Sequence, residues 1–287
     1  MDLRLLVVEG NASPEREAQR ALLGRTASRS YADTLLEVAP DAICDICLPA
    51  DEGADLPDSA GLESYDGVFV TGSALNLYDG GPAILRQIEL ARAVFAARVP
   101  FFGSCWGLQV AAAASGGGVR RNPAGREIGL ARHIAPTEAG RDHPLLAGRP
   151  AAYDALASHI DIVALPPQGA VTLAANANAL VQAAEIRYDG GIFWGVQYHP
   201  EFSLGEIAAI LERRRTSLAL EGLFAREEDA LAYVAQLRAL EADGARRDIA
   251  SRLGLGADVT DKRLRRTELR NFIDLLVRPE KSRRGRH

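Results

Sequence analysis

Cys105 stands in the run Gly103-Ser104-Cys105-Trp106-Gly107, between the apolar residues 99–102 and the alanine-rich residues 108–114. An apolar strand entering and a helix leaving put a nucleophile at a sharp, strained turn. Close neighbours there must be small, and glycines two residues before and two after meet that need. The dipole and free amides of a helix N-terminus favour a thiolate, the attacking form of cysteine. The Trp106 amide is then placed to hold an oxyanion.

A cysteine nucleophile also needs a base, and the base needs something to orient it. His199 and Glu201 lie in "WGVQYHPEF", just after a strand-like run. Two residues apart in extended backbone, they face one side. A carboxylate there accepts the imidazole N–H and leaves the other nitrogen for the thiol. His133 and His143 lie in loop-like sequence without a motif, and His287 lies in the ragged tail. An α/β-hydrolase runs nucleophile, acid, histidine, whereas the order here is Cys105, His199, Glu201. Asp161 precedes His199 and mimics the hydrolase order, but Glu201 is the nearer acid.

The remaining cysteines, Cys44 and Cys47, form a C-x-x-C in "DAICDICLP". That segment alternates like a strand, so the two point to opposite faces. A redox pair needs a helix N-terminus instead. Three cysteines fit a reducing compartment, and no second Cys or His cluster completes a metal site. With 47% hydrophobic and 25% charged residues among 287, the composition is that of a globular protein. A net charge of −5 gives no case for nucleic-acid binding. No apolar run is long enough to span a bilayer, and "MDLRLLVVEG" lacks the basic start and long apolar stretch of a signal peptide. A cytoplasmic protein without membrane or nucleic-acid partners is expected.

The elements that must position these groups follow from patterning. Strands are expected in "LRLLVVEG", "AICDICLP", "YDGVFVTGSALN" and "VPFFG", and helices in "SPEREAQRALLGR", "GPAILRQIELARAVFAARV" and "LQVAAAASGG". Ser13 is the expected N-cap of the first helix, with Pro14 at its first helical position. The alternation predicts an α/β domain with a mostly parallel central sheet flanked by helices. Residues 119–200 read as a small β-rich excursion, with strands in "AVTLAAN", "ALVQAAEIRY" and "GIFWGVQY". From about Leu204 the pattern turns helical. Residues 205–287 hold 18 Lys/Arg against 14 Asp/Glu, and residues 1–204 hold 15 against 24. A basic helical appendage (205–287) on an acidic domain (1–204) is therefore expected. Its charged faces are either solvated or a docking surface, and its end, "EKSRRGRH", is expected to be disordered.

"GSCWGLQ" together with "GVQYHPEF" resembles the class I (triad) glutamine amidotransferase family, and in particular stand-alone members similar to the glutaminase domain of GMP synthase. The resemblance covers roughly residues 1–204 and implies a flavodoxin-like fold. It implies a catalytic triad of Cys105, His199 and Glu201 and oxyanion amides from Gly72 in "YDGVFVTGS" and from Trp106, with Ser73 the next candidate. It further implies substrate contacts at Gln109 and at the backbone near Ser158 and His159 in "ASHID", and a pocket lining in "GREIGL". "TGSAL" stands where the family often has Gly-Gly-Pro, Leu108 where it often has a polar residue, and Ile160 where Gly is common. The implied reaction is hydrolysis of the γ-amide of glutamine through a thioester, without metal or organic cofactor. It gives glutamate, and ammonia for a separate acceptor. The 83 residues after 204 hold no glycine-rich phosphate loop, so a synthetase or ligase would be a separate partner. The elbow fits equally a γ-glutamyl hydrolase or peptidase acting on a γ-glutamyl amine or peptide. A non-catalytic binding or regulatory protein predicts a broken triad, and all three members are present. Homo-oligomerisation is expected, if anywhere, through the C-terminal helices.

Overall fold

The computed structural model describes residues 2–285, except for the side chains of Ser59 and Ala60. In chain order its strands are β1 (Leu3–Val8), β2 (Ala42–Cys47), β3 (Gly67–Val70), β4 (Phe101–Ser104), β5 (Gly118–Arg121), β6 (Glu127–Pro136), β7 (Tyr153–His159), β8 (Asp161–Leu165), β9 (Ala170–Ala175), β10 (Ala183–Tyr188) and β11 (Gly191–Val196). Its helices are α1 (Ser13–Leu23), α2 (Ala27–Val38), α3 (Ser59–Glu63), α4 (Pro82–Ala96), α5 (Trp106–Ala114), α6 (Glu138–Arg141), α7 (Leu204–Leu220), α8 (Glu227–Ala242), α9 (Arg247–Leu253), α10 (Ala257–Thr260), α11 (Lys262–Arg265), α12 (Thr267–Phe272) and α13 (Arg278–Arg283).

Among the described residues, nine strands form one sheet in the order β2-β1-β3-β4-β11-β10-β9-β6-β7. The run from β2 to β11 is parallel, and β10, β9, β6 and β7 continue it antiparallel. Most of the strands in residues 119–200 thus extend the main sheet. Only β5 and β8 pair apart from it, as a two-stranded ribbon.

The inner parallel strands β3, β4 and β11 are apolar on both faces because helices cover both. Strand alternation sorts β1 cleanly. Leu3, Leu5 and Val7 join one core with α2 residues Tyr31 and Leu35, while Leu6 and Val8 join the other with α4 and α5 residues such as Leu90 and Val110. Cys44 and Cys47 follow the same rule and pack against opposite cores. Burial pushes the Cys44 thiol up to about 11, helped by the Asp45 charge, and the Cys47 thiol up to about 12. Both thiols stay protonated at neutral pH.

The C-terminal segment packs in two places. α7 and α8 share a third core with Leu156, Ile128 and Leu130 of the sheet. α12 and the π-helical turn Ile273–Val277 that follows it insert Phe272, Ile273 and Val277 into the core built on Tyr31, Phe69 and Phe102.

Three expectations need correction. The N-cap of α1 is Ala12, without a side-chain bond, and Ser13 is already helical. The helical pattern expected from about Leu204 is not continuous over 261–277, where it is broken into α11, α12 and the π turn. The tail is ordered through α13: Arg278 grips Asp41 at 2.7 Å, and Lys281 reaches the Asp2 carbonyl at 2.7 Å and Asp66 at 3.2 Å. Basic residues read as a solvated tail find acidic partners on the domain, anchored by the apolar turn before them. Arg286 and His287 lie outside the described residues.

Candidate active site

Cys105 sits between the end of β4 and the start of α5, with φ 52° and ψ −100°. That left-handed conformation in a non-glycine residue costs on the order of 1–3 kcal/mol and must be imposed by its surroundings. Two features impose it. The Cys105 N–H donates to the Val196 carbonyl at 2.8 Å, tying the elbow to the end of β11. A Cβ on Gly103 would lie 2.5 Å from the Gly107 carbonyl carbon, and one on Gly107 would lie 2.6 Å from the Val70 oxygen. Strand, turn and helix approach this closely only because both residues are glycine. Trp106 opens α5, so its N–H has no intrahelical partner. Its indole is buried and donates to Gln87 Oε1 at 2.7 Å.

β11 delivers His199 beside the elbow. The His199 N–H donates to the Leu156 carbonyl at 2.8 Å, and the imidazole stacks flat on Phe202 with ring centroids 4.0 Å apart. Nδ1 lies 2.6 Å from Glu201 Oε1, and the Cys105 side chain hydrogen-bonds the same imidazole. Burial works against charging this ring. The Glu201 charge and the hydrogen bonds with Cys105 and Glu201 outweigh it and raise His199 to about 10. A protonated His199 is the form that can hand a proton to a leaving amine. Asp161, the rival acid, instead meets the Tyr78 hydroxyl at 3.1 Å.

Helix α2, which no motif marks in the sequence, supports this pair. The Thr34 hydroxyl donates to the Glu201 carbonyl at 3.3 Å, and the Tyr31 hydroxyl lies 3.0 Å from Ser104 Oγ. Burial, then the Glu201 charge, keeps the Tyr31 hydroxyl protonated. Gly72 follows β3 so closely against the imidazole that a Cβ would lie 2.7 Å from His199 Cε1.

Two cavities flank the Cys105–His199 pair. One, of about 270 Å³, borders Cys105 and is lined by Gln109, Ser158, His159, Tyr78 and Asp161 among others. The other, of about 170 Å³, borders His199, Glu201 and Gly72 and is walled by Leu22, Leu23, Tyr31, Phe202 and Ile210. Ser73, Ala74, Ser158 and Arg214 line both. Gln109 donates to the Asp161 carbonyl at 3.0 Å, and the Ser158 carbonyl lies 4.0 Å from Cys105 Sγ. The His159 imidazole is turned away into a buried cluster, 2.9 Å from Glu127 Oε2, which leaves its backbone to the cleft. Arg126 of "GREIGL" also reaches the cleft. Tyr78, Tyr31 and Arg214 carried no signal in the sequence, because each arrives from a distant element. Among the described residues, no group of three or more His, Cys, Asp or Glu side chains can hold a metal ion.

The glutamine amidotransferase class-I family model matches residues 47–215. This chain belongs to the class I glutamine amidotransferase family. Like the family, it is an enzyme of the amide-hydrolase kind. A γ-glutamyl-L-1-hydroxyisopropylamide hydrolase of Pseudomonas sp. is 34% identical over 98% of this chain and 96% of its own length. A glutamine-hydrolysing GMP synthase component from Methanoculleus marisnigri is 34% identical over 43% of this chain and 64% of its own. The solved glutamine amidotransferase of Thermotoga maritima shares the fold, with a TM-score of 0.62 at 18% identity over 96% of this chain and 99% of that one. Among the described residues, no helix is long and apolar enough to cross a membrane.

Proposed function

We propose that this amidotransferase-family enzyme hydrolyses the amide of a γ-glutamyl compound whose amine is larger than ammonia, with Cys105, His199 and Glu201 as its catalytic triad. The Cys105 thiolate attacks the γ-carbonyl carbon, and the amides of Gly72 and Trp106 hold the oxyanion. His199 passes its proton to the amine nitrogen, the C–N bond breaks, and a thioester to Cys105 remains. Water then enters where the amine left. His199 takes its proton, the hydroxide attacks the thioester carbon, and glutamate departs as the Cys105 thiolate and protonated His199 are restored. Gln109 and the backbone at Ser158 and His159 hold the glutamyl end.

The observation that carries the larger amine is the cavity of about 170 Å³ on the His199 side, where the amine departs. A dry protein cavity of about 150 Å³ accepts benzene, so this one has room well beyond ammonia, and its walls are largely hydrocarbon. The near full-length match to a hydrolase of a substituted γ-glutamyl amide supports the same reading. The match to a GMP synthase component supports the alternative, glutaminase action on free glutamine with ammonia passed to a separate synthetase.

Steady-state kinetics on glutamine and on γ-glutamyl amides of short branched amines test the choice. Higher kcat/KM on the substituted amides, abolished in Cys105→Ala, is expected. A preference for free glutamine would transfer the protein to the alternative. No turnover of any γ-glutamyl compound would sink both.

A further inference from the structure

Arg214 lies on α7, within a run of three arginines. Its neighbour Arg215 pairs with Glu227 at 3.2 Å, and Arg126, across from it, pairs with Glu221 at 2.9 Å. Arg214 is half-buried and has no such carboxylate among the described residues. Its Nε is buried without a hydrogen-bond partner there, and a buried donor left unmade is costly. Burial first, then the charges of Arg126 and Arg213, disfavour its charged form. Arg214 is also among the few side chains that line both cavities, so it stands at the junction where Cys105 and His199 meet their substrate. A half-desolvated, repelled cation that lines a cleft and has no carboxylate paired with it is a site that an anion would satisfy, and guanidinium geometry suits a carboxylate.

We propose that Arg214 is the carboxylate anchor of this site: its guanidinium binds the substrate's carboxylate. This rests on the reading of the site as one for γ-glutamyl amides, because every such compound carries an α-carboxylate on its glutamyl part. A leaving amino acid would offer a second carboxylate, from the opposite cavity.

The test compares wild type with Arg214→Gln and Arg214→Lys in two assays. In the first, Cys105 Sγ displaces iodide from iodoacetate or from neutral iodoacetamide. Arg214→Gln is expected to lower the iodoacetate-to-iodoacetamide rate ratio about tenfold, with Arg214→Lys in between. The second assay measures turnover. For γ-glutamyl amides, KM is expected to rise about 10- to 100-fold in Arg214→Gln. For the matching 4-aminobutanoyl amide, which lacks the α-carboxylate, wild type and variant are expected to be equal. A loss confined to substrates with a carboxylate on the leaving amine overturns the anchoring of the α-carboxylate. An unchanged alkylation ratio, or an equal loss on the 4-aminobutanoyl amide, overturns the proposal. If wild type cleaves no γ-glutamyl compound, the hydrolase reading fails, while the alkylation ratio still decides the role of Arg214.

Discussion

The Tyr198 hydroxyl donates to Glu268 Oε1 at 2.8 Å, joining the residue before His199 to a helix seventy positions later. The same carboxylate takes both arms of Arg149 at 2.7 Å, and all three side chains are buried. The Arg149 guanidinium also lies over the Tyr153 ring, 4.5 Å from its centroid. The C-terminal helices are therefore bonded to the segment that carries His199.

Replacing Glu268 by Ala leaves a buried arginine without its partner. Breaking a buried pair from one side costs about 3–5 kcal/mol. Denaturant unfolding of Glu268→Ala is expected to show a loss of that size, with Arg149→Ala similar and the double variant far from additive. A loss below about 1 kcal/mol would mean that the C-terminal helices are not fastened through this pair.

The His199–Glu201 pair gives a pH signature. The folded value of His199, about 10, lies above its ordinary 6.5. The extra stability is therefore fully present below about pH 6.5 and is lost as pH rises through about 10. The stability advantage of wild type over Glu201→Gln is expected to shrink steadily between those limits, as read by unfolding at a series of pH values. The opposite trend would show that His199 is buried neutral. On activity, Glu201→Gln is expected to lower kcat on the order of 10²–10⁴-fold, the range of acid–base catalysis.

Gly72→Ala tests the closeness of the loop after β3 to His199. The new methyl would sit 2.7 Å from His199 Cε1, displacing the ring or the loop. Turnover is expected to fall on the order of 10²-fold, because small misplacements at a reacting centre are that costly. Stability is expected to fall by about 1–3 kcal/mol, the usual cost of an extra methyl in a packed site. Full activity would place His199 further from the loop than described.

The three thiols should differ in reactivity. Cys44 and Cys47 are held at about 11 and about 12, so their thiolates are scarce at neutral pH. Brief treatment with iodoacetamide, followed by peptide mass mapping, is expected to label Cys105 and spare the other two. Equal labelling would contradict a reactive Cys105.

Local pattern made much of the fold legible. The β1 alternation and the apolar run before Cys105 place strands correctly because burial on two faces leaves a mark within a few residues. The glycines at 103 and 107 likewise signal a close approach. Helix α2 left no such mark: its buried face includes Ser28, Ser30 and Thr34, which satisfy distant polar groups and do not form an apolar stripe. The order of the basic tail was equally hidden, because its partners Asp41 and Asp66 lie more than two hundred positions away.

The sequence by itself determined the family and singled out Cys105, His199 and Glu201 as candidates, since an elbow and a His-Pro-Glu after a strand are short-range motifs. Only the tertiary structure decided what surrounds them. Arg214 from α7, Tyr31 from α2 and Tyr78 from the loop after β3 meet at the site through chain packing alone. Those contacts are non-local, and no spacing along the chain encodes which helix will close a cavity.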